Sequence, residues 1–198
     1  MEVTRLDDIV LYEDDGPLAL ADAKLARHGL SHSITYRSEN AVKYEYVGEG
    51  HQSTIRVETE EKVAIEVGRV DDNALSNIFG MKEFINLYAG RKAIDDISDH
   101  LSLDVSCVKP YVGNRETLFE EYVPGRHPNK KELNELNNEL TTAGFNETFS
   151  SIAEDISKEL GLSSRVTTYP CQKADNVVIH GNRFYLVDPG NVFHTNLL

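Results

Sequence analysis

Basic residues are the scarce class in this chain. Twenty Lys and Arg stand against thirty-three Asp and Glu in 198 residues, a formal charge of −13. Such a surface repels nucleic acid and anionic membrane unless a basic patch exists. The longest basic runs, Lys130-Lys131 and Arg91-Lys92, are too short to form one. Only two cysteines occur, Cys107 and Cys171, in different segments and without metal-site spacing. That argues against a cysteine metal site and for reduced thiols in a reducing compartment. Thirteen glycines and six prolines leave no low-complexity tract. No apolar run approaches membrane-spanning length, and Met1 to Asp8 lacks the basic-then-apolar pattern of a signal peptide. A soluble cytoplasmic protein with neither nucleic acid nor membrane as partner is the expectation.

Forty per cent of the residues are apolar, enough to build one compact domain or two small lobes. Residues 4–13 mix apolar and acidic positions, as a strand or an irregular arm would. Pro17 suits a first helical position, Leu18, Leu20, Ala21, Leu25 and Ala26 recur at helical spacing, and Gly29 suits a C-cap. From Ser33 to Val67 the period changes to two. Ile34 and Tyr36, then Val42, Tyr44 and Tyr46, then Ile55 and Val57, then Val63, Ile65 and Val67 predict an antiparallel meander with one buried face. Residues 72–101 carry helical patterning with a break at Gly90. Asp104 to Tyr111 and Glu116 to Glu121 read as two strands around a Gly113-Asn114 turn. Two helices are predicted next, over Asn129–Thr142 and over Asn146–Leu160, the second capped by Asn146 and ended by Gly161.

The stretch from Tyr169 to Gly190 organises the rest. Val177-Val178-Ile179 and Arg183-Phe184-Tyr185-Leu186-Val187 flank Gly181-Asn182, which predicts a β-hairpin. Asn176 precedes it and Asp188 follows it. An amide and a carboxylate held side by side are hard oxygen ligands, of the kind Mg²⁺ takes when phosphates fill its other positions. On spacing alone, two ordinary turn residues account for the pair more simply.

The same stretch resembles the catalytic and metal-binding loops of the protein-kinase fold. Lys173 and Asn176 stand where that family has its loop lysine and metal-binding Asn, and Asp188-Pro189-Gly190 stands where it has Asp-Phe-Gly. Cys171 occupies the place of the catalytic Asp, in Tyr169-Pro170-Cys171 for His-Arg-Asp. Val47-Gly48-Glu49-Gly50-His51-Gln52-Ser53 resembles the glycine-rich loop, with Ser53 at its third glycine. Lys62-Val63-Ala64-Ile65-Glu66 resembles Val-Ala-Ile-Lys, with Glu66 at the phosphate-pairing lysine. Lys62 lies too far along the strand to substitute, more than about 12 Å at about 3.3 Å per residue. The helix from Arg91 to Leu101 resembles the one that salt-bridges that lysine, with Ala93 at its Glu. Glu66 paired with Arg91 or Lys92 is one alternative; solvated basic residues are the other. Leu118-Phe119-Glu120-Glu121-Tyr122-Val123-Pro124-Gly125 resembles the hinge, whose backbone at Glu121 and Val123 would meet adenine. Glu120 falls at the position gating the back of the pocket.

The resemblance implies an α+β, protein-kinase-like fold. Residues 1–40 would be an N-terminal extension with one helix, 41–123 an antiparallel β-rich N-lobe with helices, and 124–198 an abbreviated helical C-lobe. The chain is also similar to short kinase-like proteins of tailed bacteriophages, which implies a viral source and a place in the host cytoplasm or virion. Three functions follow from the matches and the departures. The first is a pseudokinase-like binding or regulatory protein with a protein partner and no protein-kinase activity. It would bind ATP or another nucleotide with Mg²⁺ weakly or not at all, through Gly48, Gly50, Ser53, Glu66, Glu121 and Val123, with Asn176 and Asp188 on the metal. The second is an atypical metal-dependent phosphotransferase or nucleotidyltransferase, with Asp175 as base and Lys173 on the phosphate. The third is a structural or assembly protein that retains the fold only. For Cys171, the alternatives are an inert buried thiol and a nucleophile or redox sensor.

Overall fold

The computed structural model describes residues 3–6, 9–12, 44–49, 53–58, 63–68, 79–113, 117–167 and 173–197, with side chains described in 79–113, 118–162, 166 and 173–190. The chain divides into two compact units. Met1–Phe84 and Pro110–Tyr122 form the first, Ile85–Lys109 and Val123–Leu198 the second. The described elements make an α+β protein rich in antiparallel pairing.

The first unit is built on a seven-stranded sheet. Its strands are β1 (Val3–Leu6), β2 (Ile9–Tyr12), β3 (Tyr44–Glu49), β4 (Ser53–Glu58), β5 (Val63–Gly68), β7 (Pro110–Gly113) and β8 (Thr117–Glu121), in the order β1-β2-β7-β8-β5-β4-β3. Every neighbouring pair is antiparallel. The meander expected from the alternation in 42–67 is β3-β4-β5, where β-branched and aromatic residues suit the pleat. A bulge between Tyr46 and Gly48 shifts its first register. Residues 4–13, ambiguous in sequence, contribute the hairpin β1-β2, and β2 continues the sheet by pairing with β7. The helix expected over Pro17–Gly29 and the strand around Ile34 and Tyr36 lie outside the described residues. Phe79, Met81, Phe84, Val112, Leu118 and Phe119 are buried in this unit.

Helix α1 (Phe79–Ile97) begins in the first unit and continues into the second. The break expected at Gly90 is absent. Glycine in a helix interior costs about 1 kcal/mol relative to alanine, so its presence has to come from packing. A Cβ on Gly90 would lie 2.5 Å from Pro189 Cγ and 3.2 Å from Cys107 Sγ. The residue is missing its side chain because another residue occupies the space.

The second unit holds β6 (Val105–Cys107), α2 (Lys130–Thr142), α3 (Phe145–Glu159), β9 (Leu162–Thr167), β10 (Val177–His180), β11 (Arg183–Leu186) and β12 (Asn191–Leu197). The single strand expected over Asp104–Tyr111 is two strands in different sheets. β6 pairs parallel with β11 in the sheet β10-β11-β6, while β7 joins the seven-stranded sheet. Pro110, which has no N–H to give a ladder, starts the second piece. The helix expected over Asn129–Thr142 runs from Lys130, and Asn129 caps it. Its Oδ1 accepts from the N–H groups of Lys131 and Glu132, and the Glu132 carboxylate accepts from the Asn129 N–H. Asn146 does not cap α3. Gly144, in the left-handed region at φ 79°, closes α2 and opens α3, so the helix starts at Phe145. Phe145 is buried and stacks on Phe149 at 5.8 Å between centroids. β9 and β12 pair antiparallel across the register Asn191↔Thr167, an element the sequence reading did not contain. Among the described residues, no helix is long and apolar enough to cross a membrane.

Candidate functional site

The hairpin β10-β11 is present in the register Val177↔Leu186 to His180↔Arg183. Gly181 turns it at φ 61°, a value that favours glycine. Val177, Ile179, Phe184 and Leu186 are buried and anchor it. β6 holds its second strand, β11, aided by the Arg183 guanidinium on Asp104 Oδ1 at 2.8 Å and the Phe184 N–H on the Asp104 carbonyl at 2.8 Å. The side-chain hydrogen bond to Asp104 raises the Arg183 pKa further above its ordinary value.

At the open end of the hairpin lies a 3-10 turn over Ala174–Asn176. The Asn176 N–H donates to the Lys173 carbonyl at 3.0 Å, and the Asn176 carbonyl accepts from the Val187 N–H at 2.9 Å. That last bond fixes Asn176 beside the residue preceding Asp188. Both Asn176 and Asp188 are half-buried, whereas Lys173 and Asp175 are exposed. The turn therefore brings the two expected metal-holding residues to one end of one hairpin.

After Asp188 the chain is packed tightly. Pro189 and Gly190 are both buried. Pro189 fills the space over Gly90, and a Cβ on Gly190 would lie 2.5 Å from Phe149 Cζ. On the other side of the hairpin, the segment following Val123 is laid along β10. Arg126 and Ile179 form an antiparallel bridge. His127 Nδ1 donates to the Val177 carbonyl at 2.9 Å, and His180 Nδ1 donates to the Pro124 carbonyl at 2.6 Å. Because carbonyls only accept, each Nδ1 carries the proton. Gly125 lies close enough that a Cβ there would meet the Ile179 carbonyl oxygen. Sequence does not mark Arg126, His127, His180 or Phe149 as supports of the site, and it offers Gly90, Gly125 and Gly190 only as a helix break, the end of the hinge-like run and the end of Asp188-Pro189-Gly190.

The other expected residues fall as follows. Gly48 is in β3 opposite Ile55, and Ser53 opens β4 opposite Gly68. Glu66 is central in β5, between Ile55 of β4 and Leu118 of β8. Its side chain, and all of Gly50 and Cys171, lie outside the described residues. Glu120 is buried on β8, opposite Ala64 and Pro110. Glu121 ends β8 and Val123 follows it, both half-buried. Arg91 donates to the Cys107 carbonyl at 3.2 Å, and Lys92 Nζ lies 5.9 Å from the centroid of the Tyr88 ring.

Among the described residues, no group of three or more His, Cys, Asp or Glu could hold a metal ion. One amide and one carboxylate do not make an all-protein cage. They do match the demand of Mg²⁺, which dehydrates reluctantly and takes one or two protein ligands alongside phosphate oxygens and water. Asn176 and Asp188 would hold it, and the ion would supply charge to neutralise phosphates.

No family model matches the chain, and no curated protein matches it. Among solved structures, one described as the streptomycin–ATP–APH(2")-IIa ternary complex has 11% sequence identity and a TM-score of 0.40, covering 83% of this chain and 72% of that one. At that level the likeness assigns neither a family nor an activity.

Proposed function

We propose that this chain is a degenerate kinase-like protein that serves as a binding or regulatory module for a protein partner. In this reading it takes a nucleotide with Mg²⁺ weakly and does not transfer phosphate to proteins. The observation that carries the reading is the placement of Asn176 and Asp188 at one end of the β10-β11 hairpin, tied by the Val187 N–H to the Asn176 carbonyl at 2.9 Å. A metal–phosphate group needs little more than such a pair. The order of motifs along the chain supports it: a glycine turn at Gly48–Gly50, the Val63-Ala64-Ile65 strand, the hinge-like run to Val123, Lys173-x-x-Asn176 and Asp188-x-Gly190.

Loss of transfer follows from two replacements. Cys171 stands for the base that positions the attacking hydroxyl, and Glu66 stands for the lysine that clamps the phosphates. A glutamate near a triphosphate adds repulsion where attraction is needed, which makes binding weak. A second reading, an atypical phosphotransferase, draws on the exposed Lys173, which caps the 3-10 turn, and the exposed Asp175 within it. There Asp175 would take the proton and Lys173 would meet the phosphate.

A thermal-shift titration with ATP or ADP, with and without Mg²⁺, tests the binding half. A ligand that binds only the native state must raise its melting temperature. The proposal expects a rise at millimolar nucleotide that requires Mg²⁺ and is lost in Asn176→Ala and Asp188→Ala. No rise under any condition would favour a structural protein that retains the fold only.

A further inference from the structure

We propose that Gly90 and Phe149 are positioning residues for Asp188, acting through Pro189 and Gly190 as two niches. The claim rests on the reading above that Asp188 holds a metal, and deepens it. Two residues follow Asp188, and each is seated against a different helix. Pro189 lies over Gly90 of α1, with Cγ and Cβ at 2.5 and 2.6 Å from where a Gly90 Cβ would stand. Gly190 lies against Phe149 of α3, with ring atoms Cζ and Cε1 at 2.5 and 2.6 Å from its own would-be Cβ. Among the described residues, the left-handed glycines are Gly144, Gly161 and Gly181. Gly90 and Gly190 are not among them, so the bar to a side chain at either is space and not backbone conformation.

The niche walls are themselves fixed. Ala89, Ala93 and Ile94 bury α1 around Gly90, and Phe149 is fully buried and stacked on Phe145. Proline locks its own φ, so movement of Pro189 carries the Asp188 carbonyl with it. Upstream, the Val187 N–H is bound to Asn176. Downstream, Asn191 is registered against Thr167 in the β9-β12 pair. Asp188 is thus held from both directions along the chain.

Size complementation at the α3 niche tests this. Gly190→Ala introduces the overlap, and Phe149→Leu removes the three ring atoms that cause it. The probe is Mn²⁺ with ADP, its free fraction read by electron paramagnetic resonance, together with amide exchange of the peptide spanning Val187–Asn191. Gly190→Ala should weaken Mn²⁺ binding about tenfold, the scale for residues that orient a metal ligand, and speed exchange in that peptide while leaving α2 unchanged. Gly190→Ala/Phe149→Leu should return to the affinity of Phe149→Leu alone. Gly90→Ala, from the other niche, should reproduce the loss. Parent-like Mn²⁺ affinity in Gly190→Ala, or no recovery in the double variant, overturns the positioning role and leaves the metal reading intact. A parent that binds no Mn²⁺ overturns both.

Discussion

Arg126 and Ile179 exchange a pair of backbone hydrogen bonds, 3.2 Å from the Arg126 N–H to the Ile179 carbonyl and 2.7 Å in return. Fifty-three positions of sequence are closed by this bridge, and it lays the segment after Val123 along β10, the strand that follows Asn176. The approach is possible because Gly125 has no side chain. A Cβ there would meet the Ile179 carbonyl oxygen and lie 2.5 Å from Val178 Cγ1. Gly125→Ala should therefore destabilise the fold by about 1–3 kcal/mol, the range for overpacking a close contact. Urea unfolding checks it, as a lower midpoint at unchanged slope.

The Arg126 side chain has a second task. Its guanidinium binds the Glu132 carboxylate through two bonds, at 2.8 and 2.6 Å. The hydrogen bond from Arg126, then that from the Asn129 N–H, lowers the Glu132 pKa from 4.5 to about 2. A lowered carboxylate pKa contributes stability that is complete above the unfolded value and lost as pH falls through the folded one. The loss should run between 4.5 and about 2. Both groups are solvent-exposed, so the effect is small. Unfolding midpoints measured across that window should converge for parent and Glu132→Gln as the pH drops.

Gly181 separates backbone demand from packing. Its φ is 61°, and a Cβ there would meet nothing within 4 Å. Gly181→Val should cost about 1–2 kcal/mol from the left-handed conformation alone. Gly181→Asn should cost less, since Asn visits that region with a local hydrogen bond. Equal losses for the two, measured by thermal unfolding, would contradict a purely conformational role.

Local chemistry was legible wherever one residue type satisfies one local need. Gly181 between two apolar runs marks a hairpin, and the helical spacing ahead of Gly144 marks α2. The alternation of Tyr44, Tyr46, Ile55, Val57, Val63, Ile65 and Val67 gave the β3-β4-β5 meander. Gly90 was misread because a glycine that breaks a helix and one that admits a neighbour look identical in sequence. Only the arrival of Pro189, ninety-nine positions later, distinguishes them. The split of 104–111 was invisible for a related reason. Which sheet a strand joins depends on distant partners, here Phe184–Leu186 for Val105–Cys107. At the site, the hairpin that separates Asn176 from Asp188 was legible through the Gly181-Asn182 turn between two apolar runs. The buttresses Gly125, His127, His180 and Phe149 were not, since each acts on a residue tens of positions away.

The proposed loss of transfer is tested most directly with γ-labelled ATP. The protein is incubated with Mg²⁺ or Mn²⁺ and generic Ser, Thr and Tyr substrates, beside Asn176→Ala and Asp188→Ala. Losing a base and a phosphate clamp costs roughly 3 kcal/mol or more apiece in the transition state, about a hundredfold in rate each. The account predicts label incorporation at the level of the two variants and of the no-protein control. Robust incorporation by the parent that disappears in both variants would contradict it, and would make Lys173 and Asp175 the residues to examine for catalysis.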